Sequence, residues 1–293
     1  MSNPVPTPEH MARLLRVRGG KYYLAFSTLK EFKKSTGTRE GGMDPGVRKF
    51  GTVMDTEGLT LSVTDDGYLK RRYDAIDANK STLAKLDNAA KAATKARHPI
   101  KLHTKEKVAI AMQNKKEGVS VSKSSDHRRR ARLRREINAT NLKITNAVKD
   151  FHHKFSSWIA SNFKTFLLPS FQTSLMVRKY EQQMAADGTP ESLSQFKVHR
   201  GRKRRILSST ARGMLGLCHY SFSELLRYKM ERVGGKMITC EEEYTSKSCS
   251  GCGKLKENLG GSEVYKCVSC GAHMDRDLNG AKNILIKNIE MLF

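Results

Sequence analysis

The chain has 293 residues, 38% of them hydrophobic, so it is long enough for one large domain with small satellites and apolar enough for a real core. Lysine and arginine number 54 against 29 acidic residues, a formal net charge of +25, whereas solubility needs only about 2–8 charges on a small domain; the excess indicates a polyanionic partner, most commonly nucleic acid. No apolar run approaches the roughly 18 residues of a membrane-spanning helix, and the first residues lack a signal-peptide pattern.

Residues 1–40 are predicted to form a small N-terminal module and a linker. Within them Arg16–Thr28 has a Gly-Gly turn followed by an apolar and aromatic run, which favours a β-hairpin. Residues 42–70 then predict three short strands, the first of which ends near Asp44. The connections between them are short, so we expect a tight antiparallel sheet.

Residues 71–165 are predicted to be a mostly helical insertion. A stretch rich in Ala, Lys and Leu at residues 75–96 and the run RRRARLRRE with its following apolar stripe at residues 128–150 both suit helices. A solvated helix face is one interpretation of the basic run, but the charge of the whole chain favours phosphate contact. The predicted nucleic-acid-binding residues are Arg128, Arg129, Arg130, Arg132, Arg134 and Arg135 in this run, and Arg202, Lys203, Arg204 and Arg205 at the end of a polar loop.

Aromatic residues continue the apolar stripe up to Phe163, and we expect them to form core rather than a base-stacking platform. Thr165–Ser170 is almost uniformly apolar, as is typical of a strand buried on both faces. A helix at residues 215–230 and a second buried strand at Lys236–Cys240 follow. The order of strands and helices predicts an α/β fold.

Two C-x-x-C pairs lie near the C-terminus: Cys249 with Cys252, and Cys267 with Cys270, separated by 14 residues. Two thiolates at this spacing reach one tetrahedral Zn²⁺, and a glycine follows each pair, as a tight knuckle turn requires. Four sulfurs leave no position for water, so the predicted zinc is structural. We interpret the other two cysteines, Cys218 and Cys240, as ordinary buried thiols.

Carboxylates surround this predicted zinc ribbon. Asp44 ends the first strand, Glu241–Glu243 follow the strand at 236–240, and Asp275 or Asp277 can cap a helix after the ribbon. A strand-end Asp, a strand-end Glu and a helix-start Asp are the layout of the RNase H-like nucleases. Hard carboxylate oxygens suit Mg²⁺ or Mn²⁺, and two such ions can support phosphodiester cleavage.

The stretches MDPGVRKFG, EEYTSKSCSGCG with YKCVSCG, and DRDLNGAKNIL resemble the first RuvC motif, the zinc-ribbon segment and the third RuvC motif of the TnpB/Fanzor family. This family comprises transposon-encoded, RNA-guided DNA endonucleases related to the compact type V CRISPR effectors. The resemblance covers roughly residues 14–293. It implies that Asp44 is the first catalytic carboxylate and Asp277 the last.

The middle carboxylate departs from the bacterial pattern, in which a Glu ends the strand that is here Thr165–Ser170. This chain has Pro169 and Ser170 there. It is more similar to the Fanzor branch, in which a Glu just before the Tyr-Thr-Ser triplet takes that place. The resemblance implies Glu242, and Glu243 remains the alternative. The exchange is feasible if the two strands are parallel neighbours, since their ends would then lie about 4.8 Å apart.

The resemblance implies an RNase H-like (RuvC-like) mixed sheet with a helical insertion and a C-terminal zinc ribbon. The expected parts are a remnant of the wedge module (1–40), the nuclease core (41–240), the zinc ribbon (241–274) and the final core helix (275–293). Family members carry a longer N-terminal region that holds guide RNA, so this chain resembles an N-terminally short member.

The predicted function is a metal-dependent DNA endonuclease with structural Zn²⁺, catalytic Mg²⁺ or Mn²⁺, and DNA and a guide RNA as partners. The alternative is a truncated, catalytically impaired protein that binds DNA or RNA; a ribosome-type basic ribbon protein leaves the MDPG and DRDLNGA motifs unexplained. We expect an intracellular protein that does not bind membranes, nuclear in a eukaryotic host and otherwise cytoplasmic.

Overall fold

The computed structural model describes residues 12–17, 21–25, 37–97, 112–113, 125–177 and 206–292. The predicted polar loop before residue 206 lies outside these ranges, and with it the second basic cluster. No helix in the described ranges has both the length and the apolar character needed to cross a membrane. The chain divides into two compact units, residues 1–29 with 67–146 and residues 30–66 with 147–293.

The first unit contains a hairpin and helices. Strands β1 (Arg13–Val17) and β2 (Lys21–Ala25) pair antiparallel, which confirms the predicted hairpin with a start three residues earlier. Helix α1 (Tyr68–Arg97) is long and polar, and helix α2 (Ser125–Asn162) contributes its residues 125–146 to this unit. The predicted helix at residues 128–150 is therefore part of a longer continuous one.

The second unit is built on a five-stranded sheet. The strands are β3 (Arg39–Pro45), β4 (Lys49–Asp55), β5 (Thr60–Thr64), β6 (Phe163–Pro169) and β7 (Lys236–Cys240). They lie in the order β5-β4-β3-β6-β7. The first three pair antiparallel, and β6 and β7 add parallel strands on the other side of β3. This mixed arrangement is the RNase H-like sheet that the sequence predicted.

Helices and a small ribbon complete this unit. Residues 147–162 of α2 belong to it, and the ribbon carries the antiparallel pair β8 (Val264–Lys266) and β9 (His273–Asp275). The remaining elements are α3 (Thr173–Met176), α4 (Ser208–Leu217), α5 (His219–Arg232), α6 (Arg276–Lys287) and a 3-10 turn (Ile289–Met291).

Apolar layers cover both faces of the sheet. On β6, Phe166 and Leu168 pack into a cluster with residues of α2 and α5, whereas Leu167 packs with Ile284 and Leu285 of α6 on the other face. Successive side chains of a strand point to opposite faces, so a uniformly apolar strand is buried on both. The aromatic continuation of α2 joins the first cluster, which confirms that it is core.

Three local predictions were wrong. The single helix expected at residues 215–230 is two helices, because Cys218 has a left-handed backbone (φ 50°) between α4 and α5. The same break leaves the Cys218 side chain exposed rather than buried. Strand β7 is buried only at Cys240, because it is the edge strand and has one neighbour instead of two.

Candidate functional site

The first predicted carboxylate, Asp44, is the next-to-last residue of β3, and its side chain is partly buried. Burial is the main reason that the pKa of Asp44 rises from 3.8 to about 7, and the negative charges of Asp277 and Glu242 add to the rise. Arg276 acts in the opposite direction with a smaller effect. The three predicted carboxylates are thus close enough in the structure to interact through their charges, although Asp44 and Glu242 are 198 positions apart in the chain.

Asp277 lies in the first turn of α6 and does not cap it. The cap is Asp275, whose Oδ1 accepts hydrogen bonds from the backbone N–H groups of Asp277 (2.9 Å) and Leu278 (3.1 Å). This settles the alternative that the sequence left open. Because capping occupies Asp275, the Asp277 carboxylate is left for other contacts.

Glu242 follows β7 by two residues and is half-buried, and this burial raises the pKa of its carboxyl group. The neighbouring glutamates are exposed. Glu241 forms an ion pair with Lys287 (3.2 Å), and the Lys287 ammonium also donates to the backbone carbonyl of Glu243 (3.4 Å). Of the three, Glu242 is the one whose charge acts on Asp44.

Parallel pairing accounts for the position of Glu242. Strands β6 and β7 run side by side, with Pro169 opposite Cys240. The residues that follow each strand therefore lie at the same edge of the sheet, about 4.8 Å apart. Where β6 offers only Pro169 and Ser170, β7 offers a glutamate at that edge.

Lys49, the first residue of β4, is a site residue that the sequence analysis missed. Its ammonium lies 2.7 Å from Asp275 Oδ2 and 3.2 Å from Asp277 Oδ2. Burial alone would lower the pKa of Lys49, but the hydrogen bonds to Asp275 and Asp277 outweigh it and raise the pKa. The antiparallel turn after Asp44 was the available signal, since it returns the chain to the same edge of the sheet.

A close approach between α6 and β3 depends on Gly280. A Cβ atom added there would lie 3.1 Å from Cγ of Asp44 and closer still to its Oδ2. Real Cβ atoms rarely have such contacts, so any side chain at this position would displace the carboxylate. Because Gly280 has no side chain, the start of α6 can lie over the end of β3.

We therefore predict that Gly280→Ala stabilises the protein less than an alanine at an unobstructed helical glycine does. Helix propensity favours alanine by about 0.5–1 kcal/mol, but at position 280 the new Cβ must also displace the Asp44 carboxylate. Gly213 of α4 is the matched control, because a Cβ there meets only Val47 Cγ1 at 4.0 Å; Gly213→Ala should leave stability unchanged or improve it. Urea unfolding of both variants is the measurement, and equal changes in stability would contradict the close approach.

The four cysteines of the predicted ribbon form one cluster, with all four sulfurs within 4.8 Å of one another. The Sγ atoms of Cys249 and Cys270 are 3.7 Å apart, as are those of Cys252 and Cys267. Sulfurs bound tetrahedrally at 2.3 Å would be separated by about 3.8 Å. The predicted tight knuckles are present, since Gly253 and Gly271 both have φ +73°. The cluster therefore has the geometry of a four-cysteine metal site.

The thiols of this cluster cannot ionise independently. Backbone N–H groups of Cys270 and Ser269 are the main reason that the pKa of Cys267 falls to about 6. The N–H of Ala272 favours the Cys270 thiolate, but hydrogen bonds with the other three sulfurs outweigh it and raise the pKa of Cys270 to about 12. A bound cation removes this conflict, because it stabilises all four thiolates at once.

The carboxylates are spread more widely than the cysteines. Among the described residues, the four-cysteine cluster is the one group of three or more ligands that meets the 4.8 Å spacing. Asp44, Glu242 and Asp277 share an edge of the sheet and interact through their charges, with an ammonium group beside Asp277.

The arginines of the basic run of α2 are exposed except for Arg130. Part of it is paired within the first unit: Arg130 and Arg134 contact Asp87 of α1 at 3.5 and 3.3 Å, and Arg132 contacts Glu136 at 2.8 Å. In the described part of the chain, no ion pair involves Arg128, Arg129 or Arg135. The nucleic-acid role of this run stays a prediction, as does that of Arg202, Lys203, Arg204 and Arg205, which lie outside the described residues.

Comparisons with known proteins find similarity to TnpB-like and Cas12f1-like proteins. Residues 219–284 match the family model described as Cas12f1-like, TNB domain. The TnpB-like protein L79 of Acanthamoeba polyphaga mimivirus is 27% identical over 244 residues, which cover 83% of this chain and 36% of that protein. The CRISPR-associated endodeoxyribonuclease Cas12f1 of Sulfoacidibacillus thermotolerans is 37% identical over 75 residues, 25% of this chain and 18% of that protein.

Among solved structures, the chain is similar to the cryo-EM structure of a Cas12f1-sgRNA-target DNA complex, with a TM-score of 0.38 and 14% identity over 92% of this chain and 54% of that one. The chain spans about a third of the length of the mimivirus TnpB-like protein that it matches. The closer resemblance to the Fanzor branch stays a prediction.

Proposed function

Because this chain is a relative of the TnpB-like proteins, we propose that it is a metal-dependent endonuclease that cleaves DNA and works with a guide RNA. The observation that carries the proposal is the position of Asp44, partly buried next to the charges of Asp277 and Glu242 at one edge of an RNase H-like sheet. None of the three is used to cap α6, because Asp275 takes that role.

The chemistry of this group suits divalent cations. Mutual repulsion and burial disfavour the ionised form of Asp44, and a hard cation such as Mg²⁺ or Mn²⁺, which prefers carboxylate oxygens, would reverse that effect. When bound, two such ions supply an activated water and stabilisation of the leaving oxygen. We assign Asp44, Glu242 and Asp277 as their ligands, and structural Zn²⁺ to the four cysteines.

The protein's own residues prepare this arrangement. The Asp275 cap fixes the first turn of α6, which carries Asp277. Lys49 of β4 forms ion pairs with the carboxylates of Asp275 and Asp277. Gly280 allows the same helix to approach Asp44. Each of these contacts restrains a carboxylate before a cation binds, and such preorganisation is what a catalytic metal site needs.

A matched pair of substitutions tests the middle carboxylate. Glu242→Gln should reduce cleavage by on the order of 10²-fold or more, whereas Glu243→Gln should retain the parental rate, because Glu243 is exposed. The measurement is cleavage of single-stranded DNA in Mg²⁺, with and without RNA transcribed from the region flanking the gene. The reverse ranking would move the assignment to Glu243.

The same assay tests the proposed function itself. We expect cleavage that needs Mg²⁺ and stops in chelator. DNA binding that is independent of Mg²⁺, with no cleavage under any of these conditions, would overturn the endonuclease in favour of a nucleic-acid-binding protein.

A further inference from the structure

A buried asparagine joins α6 to the first cysteine knuckle of the ribbon. The Asn279 amide donates through Nδ2 to the carbonyl of Ser248 (2.7 Å), and its Oδ1 accepts from the N–H of Ser250 (2.9 Å). These two backbone groups flank Cys249, so one side chain holds the main chain on both sides of a cysteine ligand. Asn279 itself has no exposed surface.

A second asparagine, one helical turn later, reinforces this connection. Asn283 donates through Nδ2 to the same Ser248 carbonyl (2.7 Å) and to that of Thr245 (2.8 Å). Residues four apart lie on the same face of a helix, so one face of α6 follows the backbone between Thr245 and Ser250. Buried amides are costly to leave without partners, and this backbone path is therefore strongly specified.

The other contacts of the same turn belong to the carboxylate site. Asp277 precedes Asn279 by two residues, and Gly280, the next residue, lies against the Asp44 carboxylate. A displacement of the Cys249 backbone would be carried by Asn279 to the start of α6. Such a displacement would move Asp277, which lies in the same turn, and would change the distance between Gly280 and the Asp44 carboxylate.

We propose that Asn279 is a positioning residue that couples metal binding by the four-cysteine cluster to cation binding by Asp44, Glu242 and Asp277. This inference rests on the proposed function, because it takes the three carboxylates as a cation site. A metal in the cysteine cluster fixes Cys249, and Asn279 transmits that restraint to the helix turn that carries Asp277. Zinc bound in the ribbon thus raises the affinity of the carboxylates for a divalent cation.

Coupling of this kind is a measurable equilibrium quantity. If zinc changes the affinity for Mn²⁺ by some factor, Mn²⁺ changes the affinity for the metal in the ribbon by the same factor, and such factors are about 5–150. Substitution of a residue that only stabilises the fold would lower the unfolding temperature. It would not change the ratio between the Mn²⁺ affinities measured with and without zinc. The ratio therefore separates positioning from general support.

The test measures Mn²⁺ binding to the full chain by electron paramagnetic resonance, with the ribbon loaded with Zn²⁺ and after zinc removal by dialysis against chelator. In the parent we expect zinc removal to weaken Mn²⁺ binding by about tenfold. In Asn279→Leu the two affinities should become equal within about twofold. Asn162→Leu is the matched control, because among the described residues the Asn162 side chain bonds only to the Trp158 carbonyl of its own helix; it should keep the parental ratio.

Each result decides something. An undiminished ratio in Asn279→Leu, or no zinc dependence in the parent, would overturn the coupling while leaving the cation site intact. Absence of Mn²⁺ binding in the zinc-loaded parent would overturn the proposed cation site itself, and the coupling with it.

Should Asn279→Leu fail to fold, Asn279→Asp keeps the acceptor for Ser250 and removes the donor to Ser248, and a reduced ratio is again expected. The reciprocal measurement uses Co²⁺ as the ribbon metal of the parent, and a titration followed by its absorption gives the Co²⁺ affinity with and without Mn²⁺. If the coupling is real, this factor must equal the one by which Co²⁺ in the ribbon changes the Mn²⁺ affinity.

Discussion

Replacement of Asp44 by asparagine is expected to lower the rate of DNA cleavage by on the order of 10³-fold, because a cation ligand is worth several kcal/mol of transition-state stabilisation. Asparagine has nearly the same shape, so the turn after β3 and the contact with Gly280 are retained. Cleavage in Mg²⁺ and in Mn²⁺ is the measurement. Asp150→Asn is the matched control, since Asp150 is exposed on α2 and pairs with Lys154, and it should keep the parental rate.

The same substitution should stabilise the protein in the absence of divalent cations. Folding raises the pKa of Asp44 from 3.8 to about 7, so its ionised form destabilises the folded state at pH 8. Asparagine cannot ionise, and the gain in thermal midpoint should therefore be largest above pH 7 and vanish as the pH falls towards 3.8. Loss of cleavage together with gained stability would identify a functional carboxylate; parental cleavage by Asp44→Asn would contradict the assignment.

Loss of the ribbon metal should have the second large effect. The double substitution Cys249→Ser, Cys252→Ser removes two of four sulfurs that lie within 4.8 Å of one another. Structural zinc contributes about 10–16 kcal/mol to the folding of zinc-finger peptides, so the ribbon should unfold. The Asn279 bonds to Ser248 and Ser250 should be lost with it. We expect cleavage to fall below detection, although zinc takes no part in the chemistry.

The control for this substitution is Cys218→Ser, because Cys218 is exposed and lies outside the cluster. It should retain both zinc and cleavage. Zinc content measured by atomic emission, beside the cleavage rate, gives the two readouts. A double-serine protein that lacks zinc but cleaves at the parental rate would show that the ribbon and the carboxylates work independently.

Much of the sheet could be predicted from local pattern. The three antiparallel strands and the doubly buried β6 followed from turn residues and apolar runs. The parallel pairing of β6 with β7 was only assumed in the comparison of their carboxylates, and the structure contains it. The errors arose where local pattern has no information on neighbours. Cys218 breaks a helix through an unusual backbone conformation, and the apolar sequence of β7 did not show that it lies at the edge of the sheet.

The sequence by itself determined the four-cysteine cluster, because a C-x-x-C pair fixes two sulfurs locally and tetrahedral geometry fixes the rest. It also indicated which carboxylates belong together, through motifs whose order along the chain is specific. Only the structure decided which of Asp275 and Asp277 caps α6, because the sequence does not fix the residue at which this helix begins.

The proposed roles of Glu242, Lys49 and Asn279 rest on the tertiary structure. Their roles depend on contacts between segments far apart in the chain: a shared sheet edge, an ammonium beside a helix start, and an amide beside a cysteine knuckle. Local sequence cannot specify such contacts, because they exist only once parallel strands have aligned their ends and a helix has packed across them.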